Sequence, residues 1–178
     1  MTEHLYYTDA YQTEFDAQII ATTQVNQQPA IILDRSFFYP TSGGQLFDTG
    51  LLGERRVIDV IAGENEAVVH GLDAPLAAAD VGQALHGMID WPRRYDHMQQ
   101  HSGQHLLSQI FYRHFGYETV SVHFGDTEST LDLEVAALET AQLDEAEQIA
   151  NQMVHAALPI TAYFVNDAEL AQVPLRKP

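Results

Sequence analysis

The sequence changes its pattern at Trp91–Pro92, and this change limits the possible folds more than any other feature. Short β-rich runs come before it, separated by Gly, Asn, Asp or Pro. They cover residues 29–34, 55–61, 66–70 and 84–91. Because proline cannot continue a β-ladder, we place a domain boundary at this point. Residues 1–91 are therefore predicted to form a small β-barrel or sandwich.

Residues 92–178 mix helical and strand patterns and are predicted to form a second domain. From Arg93 to about Phe115 apolar residues recur at helical spacing, and Gly116 is a suitable C-cap. The stripe consists of Leu106, Leu107, Ile110 and Phe111. Two alternating runs around Gly125–Asp126 predict an antiparallel hairpin. Its predicted apolar face carries Val120, Val122 and Phe124, with Ser121 and His123 on the other face.

A second helix is predicted at about 141–157, and a strand follows at 160–165. The residues at its helical apolar positions, which we expect to be buried, are Leu143, Ala146, Ala150, Met153, Val154 and Ala157. The chain thus has a run of strands followed by helices mixed with antiparallel strands, and this arrangement places it in the α+β class.

Composition narrows the class of protein. With 178 residues, of which 46% are hydrophobic, the chain can bury a core. It has no run of about 18 apolar residues, and its N-terminus is polar and acidic, so we expect a cytoplasmic protein without a membrane partner. The net charge of -17 argues against a nucleic-acid partner. Arg35, Arg93 and Arg94 form either a local positive patch or solvated surface charges.

Two histidines with the spacing of a metal chelate lie on the first predicted helix. His101 and His105 are four residues apart, so both imidazoles project from one face, opposite the apolar stripe, and can bind one ion. This spacing alone is weak evidence for a metal site, because two exposed helix histidines without a function have the same pattern. The chain has no cysteine, so a transition metal must be held by His, Asp or Glu.

Two histidines do not complete a catalytic zinc site, which usually has three protein ligands and an open position. His97 lies one helical turn upstream, and His123 is predicted on the polar face of a later strand. Either could supplement the pair.

A long connection at residues 37–50 interrupts the β-rich region. It contains the glycine pair Gly43–Gly44, and loops of this kind are often functional. The glycines allow close backbone approach, and Gln45 offers a donor and an acceptor. The alternative is a tight turn between strands. Ser42 lacks a G-x-S-x-G pattern and a paired base, which argues against a covalent nucleophile.

Three blocks of sequence together resemble one family. The alanyl-tRNA synthetase editing domain and its free-standing AlaX relatives have motifs similar to RSFFYPTSGGQLFDTG (35–50), DHMQQHSGQHLLSQIF (96–111) and SVHFGDTESTLDL (121–133). Ordered agreement of three blocks is far more specific than one motif. The resemblance implies an α+β fold, with an N-terminal small β-barrel-like domain followed by an α/β editing domain whose antiparallel strands pack on helices.

The resemblance also implies zinc as a cofactor. In this family the ion is held by H-x-x-x-H and a later C-x-x-x-H pair, and the matching ligands here are His101 and His105. This sequence has no cysteine and ends at VPLRKP, where the family continues toward its second pair. We therefore expect half of a zinc site in this chain and an editing domain that is truncated at its C-terminus.

The implied activity is hydrolysis of the ester that joins a wrong amino acid, serine or glycine, to tRNA(Ala), which makes tRNA the partner. Thr41 is the candidate for hydrogen bonding the serine hydroxyl, because alanine would leave buried polar groups unpaired. Gly43, Gly44 and Gln45 complete the predicted substrate-binding set. No general base is assigned.

Two other functions stay open. One is a non-catalytic module of the same fold that binds tRNA or a synthetase. The other is a small-molecule metallohydrolase, which the acidic composition favours.

Overall fold

The computed structural model describes residues 1–76, 81–125, 128–161 and 163–173. It divides into two compact units, Met1–Ala137 and Leu138–Pro178. The first contains the β-rich region together with the histidine-bearing helix, and the second contains two further helices. The domain boundary predicted at residues 91–92 stays a prediction.

A closed antiparallel barrel of six strands dominates the first unit. Two short strands, β1 (Glu3–His4) and β4 (Arg35–Ser36), pair in parallel apart from it. The barrel strands are β2 (Glu14–Val25), β3 (Gln28–Leu33), β5 (Gly50–Leu52), β6 (Arg55–Ala62), β7 (Val68–Leu72) and β8 (Ala84–Ile89). They follow the spatial order β2-β3-β7-β6-β5-β8. The predicted barrel is confirmed, and the four predicted strands agree with β3, β6, β7 and β8 within two residues.

Alternation along the strands fills the barrel with apolar side chains. On β2, Phe15, Ala17 and Ile19 are buried between exposed neighbours, as a strand with one covered face requires. The core also includes Leu33 and Val60, both fully buried. Burial of one such side chain stabilises the fold by about 1.5–3 kcal/mol.

Strand β2 is the longest strand, yet it is absent from the predicted set. Only its first half alternates in burial. Thr22, Thr23 and Gln24 in its second half are polar and exposed, so that the signal of a half-buried strand is lost there.

Helix α1 (Trp91–Ile110) begins two residues before its predicted start at Arg93. Pro92 lies in its first turn, where a backbone N–H is not needed. A π-helical turn at Phe111–Phe115 follows, and Gly116 ends it with a φ of 74°, which confirms the predicted C-cap.

The buried face of α1 differs from the predicted apolar stripe. Ile110 and Phe111 are buried, as predicted, but Leu106 and Leu107 are only half-buried. The helix instead buries Arg94, His97 and Ser108. The prediction was wrong here because it assumed an apolar neighbour, whereas Arg94 bonds to polar groups of the loop at residues 37–50.

The predicted hairpin after α1 is confirmed. Strand β9 (Thr119–Phe124) pairs antiparallel with β10 (Ser129–Leu133). Val122 and Phe124 are half-buried, but Val120 is 68% exposed and does not belong to a buried face. Asp126, which was predicted in the turn, lies outside the described residues.

The second unit contains helix α2 (Thr140–His155) and the short helix α3 (Asp167–Leu170). Glu139 and Gln142 form a capping box at the start of α2. The predicted helix is confirmed, but its predicted buried face is wrong except for Ala146. Leu143, Met153 and Val154 are 46%, 42% and 65% exposed.

The strand predicted at residues 160–165 is also wrong at the positions that the structure describes, and Ala162 lies outside them. A strand needs a partner for its backbone groups. Residues 138–161 and 163–173 contain no strand that could pair with it. None of the described helices combines the length and the apolar character that a membrane span requires.

Candidate active site around the histidine pair

Helix α1 brings His101 and His105 together on consecutive turns. Their Nε2 atoms are 3.0 Å apart, and the two rings stack with centroids 4.9 Å apart. Two nitrogens bound to one tetrahedral zinc at ~2.0–2.1 Å lie about 3.3 Å apart, so the two rings have the orientation of a chelating pair. His105 is exposed and His101 is half-buried.

Gln45 holds the other side of the His101 ring. His101 Nδ1 donates a hydrogen bond of 2.7 Å to Gln45 Oε1, and Gln45 is only 7% exposed. With its hydrogen on Nδ1, His101 presents the Nε2 lone pair toward His105, which donates from its own Nε2. In many metal sites, a hydrogen bond to a group that is not itself a ligand orients the metal-binding imidazole in the same way.

Burial lowers the pKa of His101, and the neighbouring His105 lowers it further. A lower pKa keeps the imidazole neutral near pH 7, and the neutral form is the one that can donate a lone pair to an ion.

The glycine pair forms a tight turn that reaches this site. Ser42 and Gln45 exchange two backbone hydrogen bonds, of 3.1 and 2.9 Å, across Gly43 and Gly44. Both glycines have positive φ, 58° and 87°, as a two-residue turn of this kind requires. The tight turn that was the alternative interpretation is therefore present, and it also presents Gln45 to His101.

The third motif lines the same place. A Cβ atom on Gly44 would lie 3.0 Å from the backbone oxygen of Val122 on β9, so glycine permits this close approach. The Phe124 ring lies 5.8 Å from the His101 ring. All three blocks of sequence that carry the family resemblance thus meet around His101.

A buried ion pair fastens the loop to α1. Arg94 is 2% exposed and Asp48 is fully buried, and Arg94 Nε donates to Asp48 Oδ1 over 3.0 Å. Arg94 is thus neither a solvated surface charge nor part of a positive patch, because Asp48 neutralises it. Nearby, Arg93 Nε donates to the backbone oxygen of Phe47 over 3.1 Å. Sequence reasoning missed Asp48, and the only signal was a single carboxylate in a loop that carries several aromatic side chains.

Thr41 and the two further histidines have different environments. Thr41 is exposed, and its backbone N–H donates to the oxygen of Val60 over 3.1 Å. His97 is 7% exposed, whereas His123 is exposed. In the described ranges, no group of three or more His, Cys, Asp or Glu side chains could hold a metal ion, so neither histidine completes such a group with the pair.

Another buried histidine lies in the barrel. His70 Nδ1 donates to the oxygen of Ile31 over 3.3 Å, and its Nε2 accepts from Ser36 Oγ over 2.8 Å. Burial lowers its pKa to about 4, although the bond to Ile31 opposes this. With both nitrogens bonded inside the barrel, His70 stabilises the fold as a neutral side chain.

Comparison with known proteins places the chain in a class and then in a family. Residues 2–93 match the family model of class II (A) tRNA synthetases. Alanyl-tRNA editing protein AlaX-M of Methanosarcina barkeri is 31% identical over 95% of this chain and 71% of its own length. AlaX-M of Saccharolobus solfataricus is 32% identical over 98% of this chain and 73% of its own.

A longer relative, alanyl-tRNA editing protein Aarsd1 of Danio rerio, is 31% identical over 89% of this chain but only 40% of its own length. The chain belongs to the AlaX family of alanyl-tRNA editing proteins, as the three blocks of sequence indicated.

Proposed function

We propose that this protein is a trans-editing deacylase that hydrolyses mischarged aminoacyl-tRNA, with Ser-tRNA(Ala) or Gly-tRNA(Ala) as substrate. The observation that carries the proposal is the convergence at His101. Gln45 from the glycine turn bonds to one ring nitrogen, His105 lies against the other, and the Phe124 ring lies 5.8 Å from the His101 ring. The names of the relatives support the substrate class.

Zinc is the proposed cofactor, with His101 and His105 as two of its ligands. The pair fits the ion because neutral imidazole nitrogens are common zinc ligands. The Gln45 bond leaves His101 Nε2 unprotonated, and His105 would bind through Nε2 once its hydrogen is on Nδ1. When bound, the ion would polarise the ester carbonyl, activate water or hold the substrate's amino group. The described residues provide two of the ligands, and the remaining positions are left to water, substrate or another group.

The glycine turn is the proposed binding element for the aminoacyl group. Gly43 carries no side chain and has open space beside it, so a substrate can approach the backbone there, whereas the corresponding space at Gly44 is taken up by the backbone oxygen of Val122. Thr41 lies one residue before this turn, and its main chain is anchored to Val60. We assign its hydroxyl to the substrate's serine hydroxyl. Thr41 is exposed in the free protein, so this site rejects alanine only if the bound substrate covers the hydroxyl and leaves it unpaired. Gln45 orients His101 in the same site.

The test is release of serine from Ser-tRNA(Ala) by the full chain with added zinc. We expect turnover by the wild type and a loss of on the order of a hundredfold or more in His101→Ala, because half of the chelate is removed. His123→Ala is the matched control, since His123 is an exposed histidine on β9. We expect its activity to be unchanged.

Three results would contradict the proposal. Turnover that His101→Ala leaves intact would remove the histidine pair from the site. Binding of tRNA without turnover in the zinc-supplemented protein would favour a non-catalytic module. Hydrolysis of free aminoacyl esters without hydrolysis of charged tRNA would favour a small-molecule metallohydrolase.

A further inference from the structure

The glycine-rich loop contacts helix α1 at several residues, and two of these contacts lie on one helix face. Arg94 and His101 are close to two full turns apart, which is about 10 Å along the axis, so their side chains leave the same face. Asp48 bonds to Arg94 and Gln45 bonds to His101. The segment from Gln45 to Asp48 therefore joins two points of attachment along this face.

The attachment at Arg94 is extensive. The guanidinium donates to Asp48 through Nε and Nη2, to the oxygen of Ala10 through Nη1 over 3.0 Å, and to the oxygen of Phe37. Asp48 Oδ2 also accepts from the backbone N–H of Tyr39 over 2.6 Å. One planar group thus joins the start and the end of the loop to α1, as the fixed donor geometry of arginine allows.

The attachment at His101 is slight by comparison. It consists of one hydrogen bond from an imidazole to the flexible side chain of Gln45. The turn itself is closed by the two backbone hydrogen bonds between Ser42 and Gln45, so it moves as one unit. One bond between two side chains does not fix where the turn lies on α1, so the position of Gln45 depends on how the loop is held on either side of the turn, at Val60 by Thr41 and at Arg94 by Asp48.

We propose that Arg94 and Asp48 are positioning residues for the histidine pair. By fixing the base of the loop on α1, they place Gln45 Oε1 where it keeps the hydrogen of His101 on Nδ1. Nε2 then faces His105. Without the ion pair, the turn moves away from α1, Gln45 releases the ring, and neutral His101 populates both tautomers.

The decisive measurement is the tautomer of His101 in the metal-free full chain, read from two-bond nitrogen–hydrogen correlations of the histidine rings at a pH where they are neutral. We expect a single Nδ1–H tautomer in the wild type. We expect a mixture in Asp48→Asn, which preserves the shape of the side chain but removes its charge. Arg94→Lys is the second variant, because lysine keeps the charge but cannot make the forked contacts.

Two controls separate positioning from a general loss of stability. Leu72→Ala removes a core side chain of the barrel that is 1% exposed, and it destabilises the fold away from the site. Thr49→Val removes a neighbouring bond between the loop and Asp90, 3.2 Å long and exposed. Both should retain the single tautomer. If Asp48→Asn does not fold, Arg94→Lys alone decides.

A single Nδ1–H tautomer in the folded Asp48→Asn or Arg94→Lys protein overturns the proposal and leaves the ion pair a role in stability alone. A second measurement, the deacylase kinetics of the variants, rests on the proposed function. We expect kcat to fall on the order of ten- to a hundredfold in Asp48→Asn, with a smaller change in KM. A wild type without deacylase activity would refute that function, while the tautomer comparison would still test the positioning role.

Discussion

Gln45 Oε1 accepts a 2.7 Å hydrogen bond from His101 Nδ1, although 56 positions separate the two residues in the chain. This bond joins the glycine-rich loop of the barrel region to the first helix. It turns an i, i+4 histidine pair, which is common on helix surfaces, into an oriented pair whose Nε2 atoms face each other.

Gln45→Leu should weaken metal binding by the histidine pair. Leucine fills a similar volume but cannot accept the hydrogen bond, so His101 no longer keeps its hydrogen on Nδ1. We expect zinc affinity to fall by about ten- to a hundredfold in competition with a chromophoric chelator. Gln100→Leu is the control, because Gln100 is an exposed glutamine on helix α1, which also carries the histidine pair. Equal affinities of the two variants would contradict the role of Gln45.

Gly44→Ala should cost more stability than Gly43→Ala. Both positions have positive φ, so alanine brings about 1–2 kcal/mol of backbone strain at each. Only at Gly44 does the added Cβ meet another atom, the oxygen of Val122 at 3.0 Å, whereas Gly43 has nothing within 4 Å. Urea unfolding of both variants measures the difference. Equal losses of unfolding free energy in the two variants would show that the turn can shift away from β9 at no cost in stability.

Asp48→Ala should destabilise the fold by about 3–5 kcal/mol, because it leaves the buried Arg94 charge without its partner. Glu3→Gln, which breaks the exposed pair between Glu3 and Arg35, should cost less than about 1 kcal/mol. Denaturant unfolding at neutral pH compares them. Similar losses would mean that the burial of Arg94 does not depend on Asp48.

The barrel should lose stability in acid through His70. Its folded pKa of about 4 lies below the unfolded value of 6.5, so the unfolded state takes up the proton first as the pH falls. The stabilisation is fully present above pH 6.5 and is lost as the pH falls through 4. We expect the free energy of unfolding to drop by about 3 kcal/mol between pH 7.5 and pH 4 from this group.

His70→Gln isolates that contribution, since glutamine does not titrate. Urea titrations of both proteins across this pH range should show a shallower acid loss in the variant. Parallel curves would assign the acid loss to other groups.

Most of the elements could be predicted from local pattern. The strands that form β3, β6, β7 and β8 and the cap at Gly116 follow from alternation and turn residues. The family follows from three blocks in order. Strand β2 was not predicted, because its second half does not alternate between buried and exposed residues. The strand predicted at 160–165 was wrong, because an alternating sequence pattern does not by itself provide a neighbouring strand to pair with.

The composition of the site was also visible in the sequence. His101 and His105 have the spacing of a chelate, and glycines with Gln45 indicate a loop built for close approach. The assignment of Thr41, Gly43, Gly44 and Gln45 to substrate, and of zinc to the histidines, stays a prediction. What the pattern did not predict was the buried polar face of α1, because hydropathy cannot tell a buried arginine with a partner from a solvated one.

The sequence by itself therefore determined the histidine pair and the glycine turn, because each depends on residues that are near one another along the chain, and it determined the family through the order of three such local blocks. Only the tertiary structure decided that Asp48 neutralises Arg94, that Gln45 orients His101 and that Phe124 lies beside the His101 ring. These contacts join residues far apart in sequence. They form only when the closed barrel, the loop and the helix pack together, and no local sequence pattern specifies that packing.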